Sequence, residues 1–253
     1  SSEAMKIVML CDFFHEALEY QENLLAKYYV KHGHEVTIIT STFESVFDYY
    51  NDRHDKQAPT RSYEFQGARV FKLRYRVNLM NRFRPFTSIG PILDQAQPDL
   101  IYVHDIIPNM LEAVAYKKRH PNCRMILDYH ADYSNSGKNW LSLKVLHGVL
   151  RKWVLDRARP HLSRIFPIVP AGATFLNEVY HVPLNEMEVL PLGADSDLGR
   201  EISGRSEGKA LRERLGRTEH DLVLFTGGKL APAKRTELLI EAVKRLANPA
   251  VHL

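Results

Sequence analysis

Lys6-Ile-Val-Met-Leu-Cys11 is an apolar run close to the start of the chain. Such a run is typical of a strand that is buried on both faces of a parallel sheet. A helical pattern follows and ends at His32-Gly33, where glycine suits a helix C-terminus. Glu35-Val-Thr-Ile-Ile-Thr40 is then rich in the β-branched residues that strands favour. Residues 6–40 therefore predict one βαβ unit.

The alternation of short apolar runs with helical patterns continues to about residue 192. Further strands are predicted at 69–73, 99–104, 124–128, 165–169 and 188–191, and helices at 109–120, 141–159 and 174–180. Strands separated by helices favour a mostly parallel sheet that is covered on both faces. The sequence thus predicts the α/β class, with a Rossmann-like domain over residues 5–192.

The composition changes after residue 192. Residues 193–208 are rich in glycine, serine and charged residues, which predicts a linker. Beyond it, a strand is predicted at 221–226 and helices at 210–215 and 236–246. So few elements cannot bury a core, since domains below ~40 residues usually need covalent or metal staples. We therefore expect 209–253 to be the beginning of a second, incomplete α/β domain.

The composition also excludes several classes of protein. With 45% hydrophobic and 25% charged residues, the chain is too apolar for a disordered protein. No stretch approaches the ~18 apolar residues of a membrane span, and two cysteines provide no disulfide framework. A net charge of +4 is small for a dedicated nucleic-acid binder. We expect a soluble protein of a reducing compartment, without a nucleic-acid partner.

Common catalytic and nucleotide-binding motifs do not occur in the sequence. Asp12-Phe-Phe-His-Glu-Ala17 stands after the first strand, where a dinucleotide-binding fold would carry its glycine motif. The sequence has neither His-Glu-x-x-His nor Gly-x-Ser-x-Gly. His130-Ala-Asp132 offers two metal ligands without a third, which supports a metal site only weakly.

The first candidate site is Gly227-Gly228-Lys229-Leu-Ala-Pro-Ala-Lys234, between a predicted strand and a predicted helix. A glycine pair allows a ligand to approach the backbone, and the helix start offers unpaired N–H groups. Lys229 and Lys234 could then hold a pyrophosphate without a metal and stabilise it as a leaving group. The alternative is a solvated loop that happens to be basic.

The second candidate is His130, which follows the fifth predicted strand. Ligands of open parallel sheets bind at the carboxyl ends of the strands. A histidine there can donate to a hydroxyl or an anionic oxygen near neutral pH. The alternative is a loop histidine that is satisfied by the neighbouring carboxylates.

The third candidate is a basic surface. Basic residues without any acidic neighbour occupy 69–84, and the predicted helix 141–159 is basic as well (Arg69, Lys72, Arg74, Arg76, Arg82, Arg84; Lys144, Arg151, Lys152, Arg157, Arg159). Such surfaces suit anionic headgroups or phosphate-bearing acceptors. A plain solvated face is the alternative.

Several segments, taken in order, resemble glycosyltransferase family 4. Tyr20-Gln-Glu-Asn-Leu-Leu-Ala-Lys27 resembles the first helix of that family. Leu127-Asp-Tyr-His130 and Val189-Leu-Pro-Leu-Gly-Ala-Asp195 resemble a strand end and a linker of the family. Phe225-Thr-Gly-Gly-Lys-Leu230, followed by Lys234, resembles its Gly-Arg-Leu…Lys signature. The likeness extends through the whole chain.

The resemblance implies a GT-B fold, with residues 5–192 on the acceptor side and the second domain binding a nucleotide sugar. It implies a retaining glycosyltransferase without a cofactor or a required metal. The acceptor would be a saccharide or a lipid-linked intermediate of bacterial envelope polysaccharide or glycolipid synthesis. The enzyme would be cytoplasmic, possibly at the anionic inner face of the membrane.

The resemblance also assigns roles to individual residues. Gly227, Gly228, Lys229 and Lys234 would bind the donor, with both lysines facing its diphosphate. His130 would lie near the reacting sugar and, together with the two lysines, would be catalytic. The same resemblance predicts acceptor contacts for Tyr20, Gln21 and His130.

Three departures from the family pattern stand beside these roles. Phe13–Glu19 replaces the glycine pair usual after the first strand, and Arg235 replaces the glycine that commonly follows the lysine. The Glu-(seven residues)-Glu element of the family's C-terminal domain, which holds the donor sugar, does not occur within residues 209–253, so we expect the chain alone to be inactive. A GT-B nucleotide-sugar epimerase and a non-catalytic carbohydrate- or lipid-binding domain are the alternatives.

Overall fold

The computed structural model describes residues 3–45, 49, 57–78, 83–131, 149–227 and 235–253. The chain divides into two compact units, Ser1–Ala194 and Asp195–Leu253. The described part of the first unit contains seven strands: β1 Lys6–Leu10, β2 Glu35–Ser41, β3 Arg61–Phe65, β4 Ala68–Leu73, β5 Leu100–His104, β6 Arg124–Tyr129 and β7 Arg164–Pro167. Its α-helices are α1 Gln21–Lys31, α2 Gly90–Ala96, α3 Met110–Arg119, α4 Lys152–Ala158 and α5 Pro170–Tyr180, with 3₁₀ turns at Arg159–His161 and Leu184–Glu186.

The seven strands form one sheet in the order β3-β4-β2-β1-β5-β6-β7. Every neighbouring pair is parallel except β3 with β4. The chain runs outward from β1 on one side through β2, and on the other side through β5, so the strand order reverses between β1 and β5. The predicted mostly parallel α/β fold is confirmed.

The continuous apolar character of β1 follows from burial on both faces of the sheet. Val8 and Leu10 pack into one core cluster, and Ile7 and Met9 pack into the cluster on the opposite face. All four side chains are at most 1% exposed. After α1 the chain turns at Gly33, whose φ of +85° favours glycine, as the sequence pattern predicted.

The first unit differs from the sequence prediction in three places. Residues 188–191 form no strand, and the chain there makes an isolated bridge between Ile165 and Met187. Strand β3 and helix α2 were not predicted, because β3 is an edge strand with largely exposed side chains and α2 is short. Of the predicted helix 141–159, residues 152–158 are α-helical, and 141–148 lie outside the described residues.

The second unit contains helices α6 Ser196–Ser203, α7 Glu207–Arg214 and α8 Thr236–Leu246, and the short parallel strands β8 Leu222–Val223 and β9 Val251–His252. The predicted linker 193–208 is therefore largely helical. Asp195 caps α6, since its carboxylate accepts from the N–H groups of Asp197 and Leu198 at 3.0 and 3.1 Å. Strand β8 is shorter than the predicted strand 221–226, and no described residue of this unit is buried.

None of the helices that the structure describes has both the length and the apolar character needed to cross a bilayer.

Candidate functional site

The candidate site lies where β1, β5 and β6 end. These strands are neighbours in the sheet and run in parallel, so their carboxyl ends meet at one edge. Asp12 follows β1, His104 ends β5, and His130 follows β6. The edge also contains the point where the strand order reverses, which is where open α/β sheets bind ligands.

Two adjoining cavities open at this edge. The first has a volume of about 250 Å³ and is lined by Asp12, Phe13, Glu22, Arg84, His104, Asp105, Ile106, Ile107, Pro108, His130 and Arg151. The second, of about 290 Å³, is lined by Phe13, Tyr20, Gln21, Glu22, Ser45, His104, His130 and Leu192. Because four residues line both cavities, we treat them as one site, the edge pocket. Tyr20, Gln21 and His130, the predicted acceptor residues, all line it.

A buried carboxylate organises the floor of the edge pocket. His130 Nε2 lies 2.7 Å from Asp128 Oδ2, and His104 Nδ1 lies 3.0 Å from Asp128 Oδ1. The hydroxyl of Tyr102 donates to the same carboxylate. The two imidazole rings are 4.3 Å apart between centroids, and Asp128 has no exposed surface. Asp128 therefore fixes two histidines that face the cavity.

The charges of this cluster stabilise one another. Burial lowers the pKa of His104, but the charge and hydrogen bond of Asp128 outweigh it and, with Glu22 and Asp105, raise the pKa to about 9. Burial likewise raises the pKa of Asp128, and the two histidines outweigh that effect and hold it far below the usual range. At neutral pH the pair is therefore an imidazolium and a carboxylate.

Two guanidinium groups, of the buried Arg84 and the partly buried Arg151, lie on the wall of the pocket. Arg84 pairs with Asp12 and lies over the ring of Tyr49, with Arg84 Cζ 4.4 Å from the ring centroid. Arg151 pairs with Asp105 at 2.5 Å. Burial opposes the charge of Asp105, but Arg151 outweighs it and lowers the pKa of that carboxyl group. Paired carboxylates and guanidiniums present acceptors and donors side by side, an arrangement suited to the hydroxyl groups of a sugar.

The same cluster contains a potential set of metal ligands. His104, Asp128 and His130 each offer one ligand atom, and these atoms lie within 4.8 Å of one another. The hydrogen bond between Asp128 and His130 and the ion pair between Asp128 and His104 explain the arrangement without an ion. The sequence left open whether His130 is a loop histidine satisfied by neighbouring carboxylates or a residue that binds a ligand. In the structure His130 contacts the carboxylate of Asp128 and also lines the edge pocket.

The predicted donor site is described only in part. Gly227 is exposed and lies in the second unit after β8, whereas Gly228, Lys229 and Lys234 lie outside the described residues. The predicted basic surface over 69–84 is wrong at two positions, because Lys72 and Arg84 are buried. Arg82 lies outside the described residues.

Several pocket residues were not predicted as site residues from the sequence, among them Asp12, Glu22 and His104. Asp12 and His104 could have been found, because each stands at the end of a predicted strand, as His130 does. Arg84 and Arg151 were predicted only as members of a basic surface. The sequence carried no signal that they reach this pocket, because they belong to segments that are distant from its other residues along the chain.

Solved structures similar to this chain include the glycosyltransferase from Rickettsia africae ESF-5, with a TM-score of 0.53 and 15% identity over 96% of this chain and 58% of that one. A structure described as "Trehalose-6-phosphate from E. coli bound with UDP-2-fluoro glucose" has a TM-score of 0.57 and 11% identity over 97% and 63%. UDP-N-acetylglucosamine 2-epimerase from Rickettsia bellii has a TM-score of 0.41 and 10% identity over 96% and 59%. The chain thus spans less than two thirds of each.

The first two similarities confirm the predicted GT-B fold class. A sequence search of curated proteins finds no match. Residues 23–198 match the profile of Glycosyltransferase Family 4, and this range contains most of α1, the strand ends at His104 and His130, and most residues of the edge pocket. The chain belongs to Glycosyltransferase Family 4.

Proposed function

We propose that this protein is a retaining glycosyltransferase that moves a sugar from a nucleoside-diphosphate donor to a hydroxyl group of an acceptor. The observation that carries the proposal is the His104–Asp128–His130 cluster in the edge pocket of a chain of this family. A charged histidine beside a second, rigidly held histidine offers hydrogen-bond donors to sugar oxygens.

The edge pocket binds the acceptor in this proposal. Asp12, Glu22 and Asp105 accept hydrogen bonds from its hydroxyl groups, and Phe13 packs against the apolar face of the ring. His130, oriented by Asp128, donates to an oxygen next to the reacting centre. Such fixed donors raise the rate because they need no reorganisation when charge develops in the transition state.

The reaction exchanges one bond of the transferred sugar for another. The bond from its anomeric carbon to the donor phosphate breaks, and the diphosphate leaves with the electron pair. A bond to the acceptor oxygen forms, and that oxygen passes its proton to the leaving diphosphate. We assign Lys229 and Lys234, with the backbone at Gly227 and Gly228, to the leaving diphosphate, so that no metal is needed to balance its charge.

We further propose a saccharide or lipid-linked acceptor from bacterial envelope polysaccharide or glycolipid synthesis. Tyr20-Gln-Glu-Asn23, at the start of α1, resembles the segment that bacterial polysaccharide enzymes of the family carry in their first helix, and this resemblance supports the acceptor class. The reaction would take place in the cytoplasm, at the inner face of the membrane.

The test is a histidine substitution in the full-length gene product. A panel of nucleotide sugars is screened with free and lipid-linked saccharides for release of nucleoside diphosphate and for a glycosylated product. We expect His130→Gln to lower turnover by ~10²-fold or more, because the amide of glutamine does not reproduce the imidazole donor that Asp128 orients at the reacting centre. His32→Gln, an exposed histidine at the end of α1, is the matched control.

Two results would overturn the proposal. One is unchanged turnover in His130→Gln. The other is conversion of a nucleotide sugar to its epimer in the absence of any acceptor, which would identify an epimerase instead.

A further inference from the structure

The loop after β1, residues 12–20, forms one wall of the edge pocket. Asp12, Phe13 and Tyr20 from this loop line the cavities. The loop contains no glycine, so its path depends on contacts with other parts of the fold.

A buried lysine lies under this loop. Alternate residues of β4 point into the core cluster that contains Ile7 and Met9 of β1. Ala68 and Val70 lie on this face of β4. Lys72 is the next residue on the face and has no exposed surface. Burial of an ammonium group is unfavourable unless hydrogen bonds compensate, so an apolar residue would be expected here on packing grounds alone.

The ammonium group of Lys72 is directed at the loop. Nζ donates to the carbonyl oxygen of Phe14 at 2.5 Å. The Phe14 side chain packs edge-on against Phe65 at 5.9 Å, so side chain and carbonyl are both held. Burial lowers the pKa of Lys72, while the charges of Glu16 and Glu44 oppose the shift. Glu16 belongs to the same loop and accepts from the hydroxyl of Tyr63.

We propose that Lys72 is a positioning residue for the edge pocket, holding the glycine-free loop 12–20 in the conformation that presents Asp12 and Phe13 to a ligand. Two strands that do not line the pocket, β3 and β4, thereby shape its wall. The identification of the ligand as a glycosyl acceptor rests on the proposed function. The role of Lys72 in holding the loop is independent of the proposed function.

Lys72→Met tests the hydrogen bond, because methionine fills a similar volume without a donor. The readout is hydrogen exchange of the loop amides, in particular those of Ala17 and Leu18, which donate to Nδ1 and the carbonyl oxygen of His15. We expect exchange over residues 14–20 to rise about tenfold, with β1, β2 and β4 unchanged. Lys6→Met, at an exposed lysine of β1, is the matched control.

Lys72→Gln retains an N–H donor without the charge and keeps the test decisive if Lys72→Met does not fold. We expect its loop to exchange within about threefold of the wild-type rate. Unchanged loop exchange in Lys72→Met, an equal rise throughout the sheet, or a tenfold rise in Lys72→Gln would overturn the proposal.

The transfer assay supplies a second readout in the full-length gene product. A displaced pocket wall weakens acceptor binding, so we expect Lys72→Met to raise the acceptor KM about tenfold and to change kcat less than threefold. Faster loop exchange with an unchanged acceptor KM would mean that the order of the loop does not affect acceptor binding, and this result would refute the positioning role. If no transfer occurs with any substrate, the proposed function fails, while loop exchange still decides whether Lys72 holds the loop.

Discussion

In the first unit, β1 lies between two parallel neighbours and beneath apolar side chains on both faces of the sheet. In the second unit, β8 pairs with β9 over two residues, and the apolar residues of α8 stay about half exposed, with Leu238 at 50% and Ile240 at 55%. Both units contain apolar runs followed by helices. The difference lies in coverage: neighbouring elements bury both faces of β1 in the first unit, whereas no described residue of the second unit is buried.

The largest expected difference between the units is in hydrogen exchange. Amides of β1, β5 and β6 exchange only on unfolding of the buried sheet, whereas amides of β8, β9 and α8 lie in a unit with no buried residue among those described. We expect rates that differ by about 10³-fold or more, because global unfolding costs at least about 5 kcal/mol. Exchange measured by mass spectrometry on the isolated chain tests this. Similar rates in both units would contradict the comparison.

A matched pair of Leu→Ala substitutions compares how much one leucine of each unit contributes to the free energy of unfolding. Leu127 in β6 is fully buried, and Leu238 in α8 is half exposed. We expect Leu127→Ala to lower the free energy of unfolding by about 2–5 kcal/mol and Leu238→Ala by less than about 1 kcal/mol. Denaturant titration, with far-UV circular dichroism as the probe, measures both. Equal losses would mean that α8 is covered in solution.

The smallest effect concerns two histidine–carboxylate pairs, one chosen from each unit. His104 pairs with Asp128 in the first unit, and His252 pairs with Asp221 at 3.3 Å in the second. The pKa of His104 is raised from 6.5 to about 9, so the folded state binds this proton more tightly than the unfolded state. The contribution of protonated His104 to the free energy of unfolding is fully present below about pH 6.5 and is lost as the pH rises through about 9.

His104→Gln should therefore destabilise the first unit more at pH 6 than at pH 10, by of the order of 2 kcal/mol. His252→Gln serves as the control, and we expect it to leave the unfolding of the first unit unchanged at either pH. Thermal and urea unfolding at several pH values measure the difference. If His104→Gln lowered the free energy of unfolding equally at pH 6 and pH 10, the pair would not titrate between these two pH values.

More of the fold than of the candidate site could be predicted from the sequence. The apolar runs at β1, β2, β5 and β6 identified central strands, because strands buried on two faces need no polar residues. Edge strand β3 was missed because its side chains are largely exposed. The same reasoning identified His130 from its place after a strand. His104 was not assigned a site role, although it stands at the end of the neighbouring strand.

The order of strand and helix patterns determined the α/β class, and the resemblance to the glycosyltransferase family rested on short motifs in the sequence. Only the tertiary structure decided which strand ends are neighbours, and hence that Asp12, His104 and His130 share one pocket. It also decided the burial of Lys72 and Arg84, which read as surface charges in the sequence. The physical reason is that a buried charge needs a partner. Here the partners lie far along the chain: Asp12 is 72 residues from Arg84, and the Phe14 carbonyl is 58 residues from Lys72.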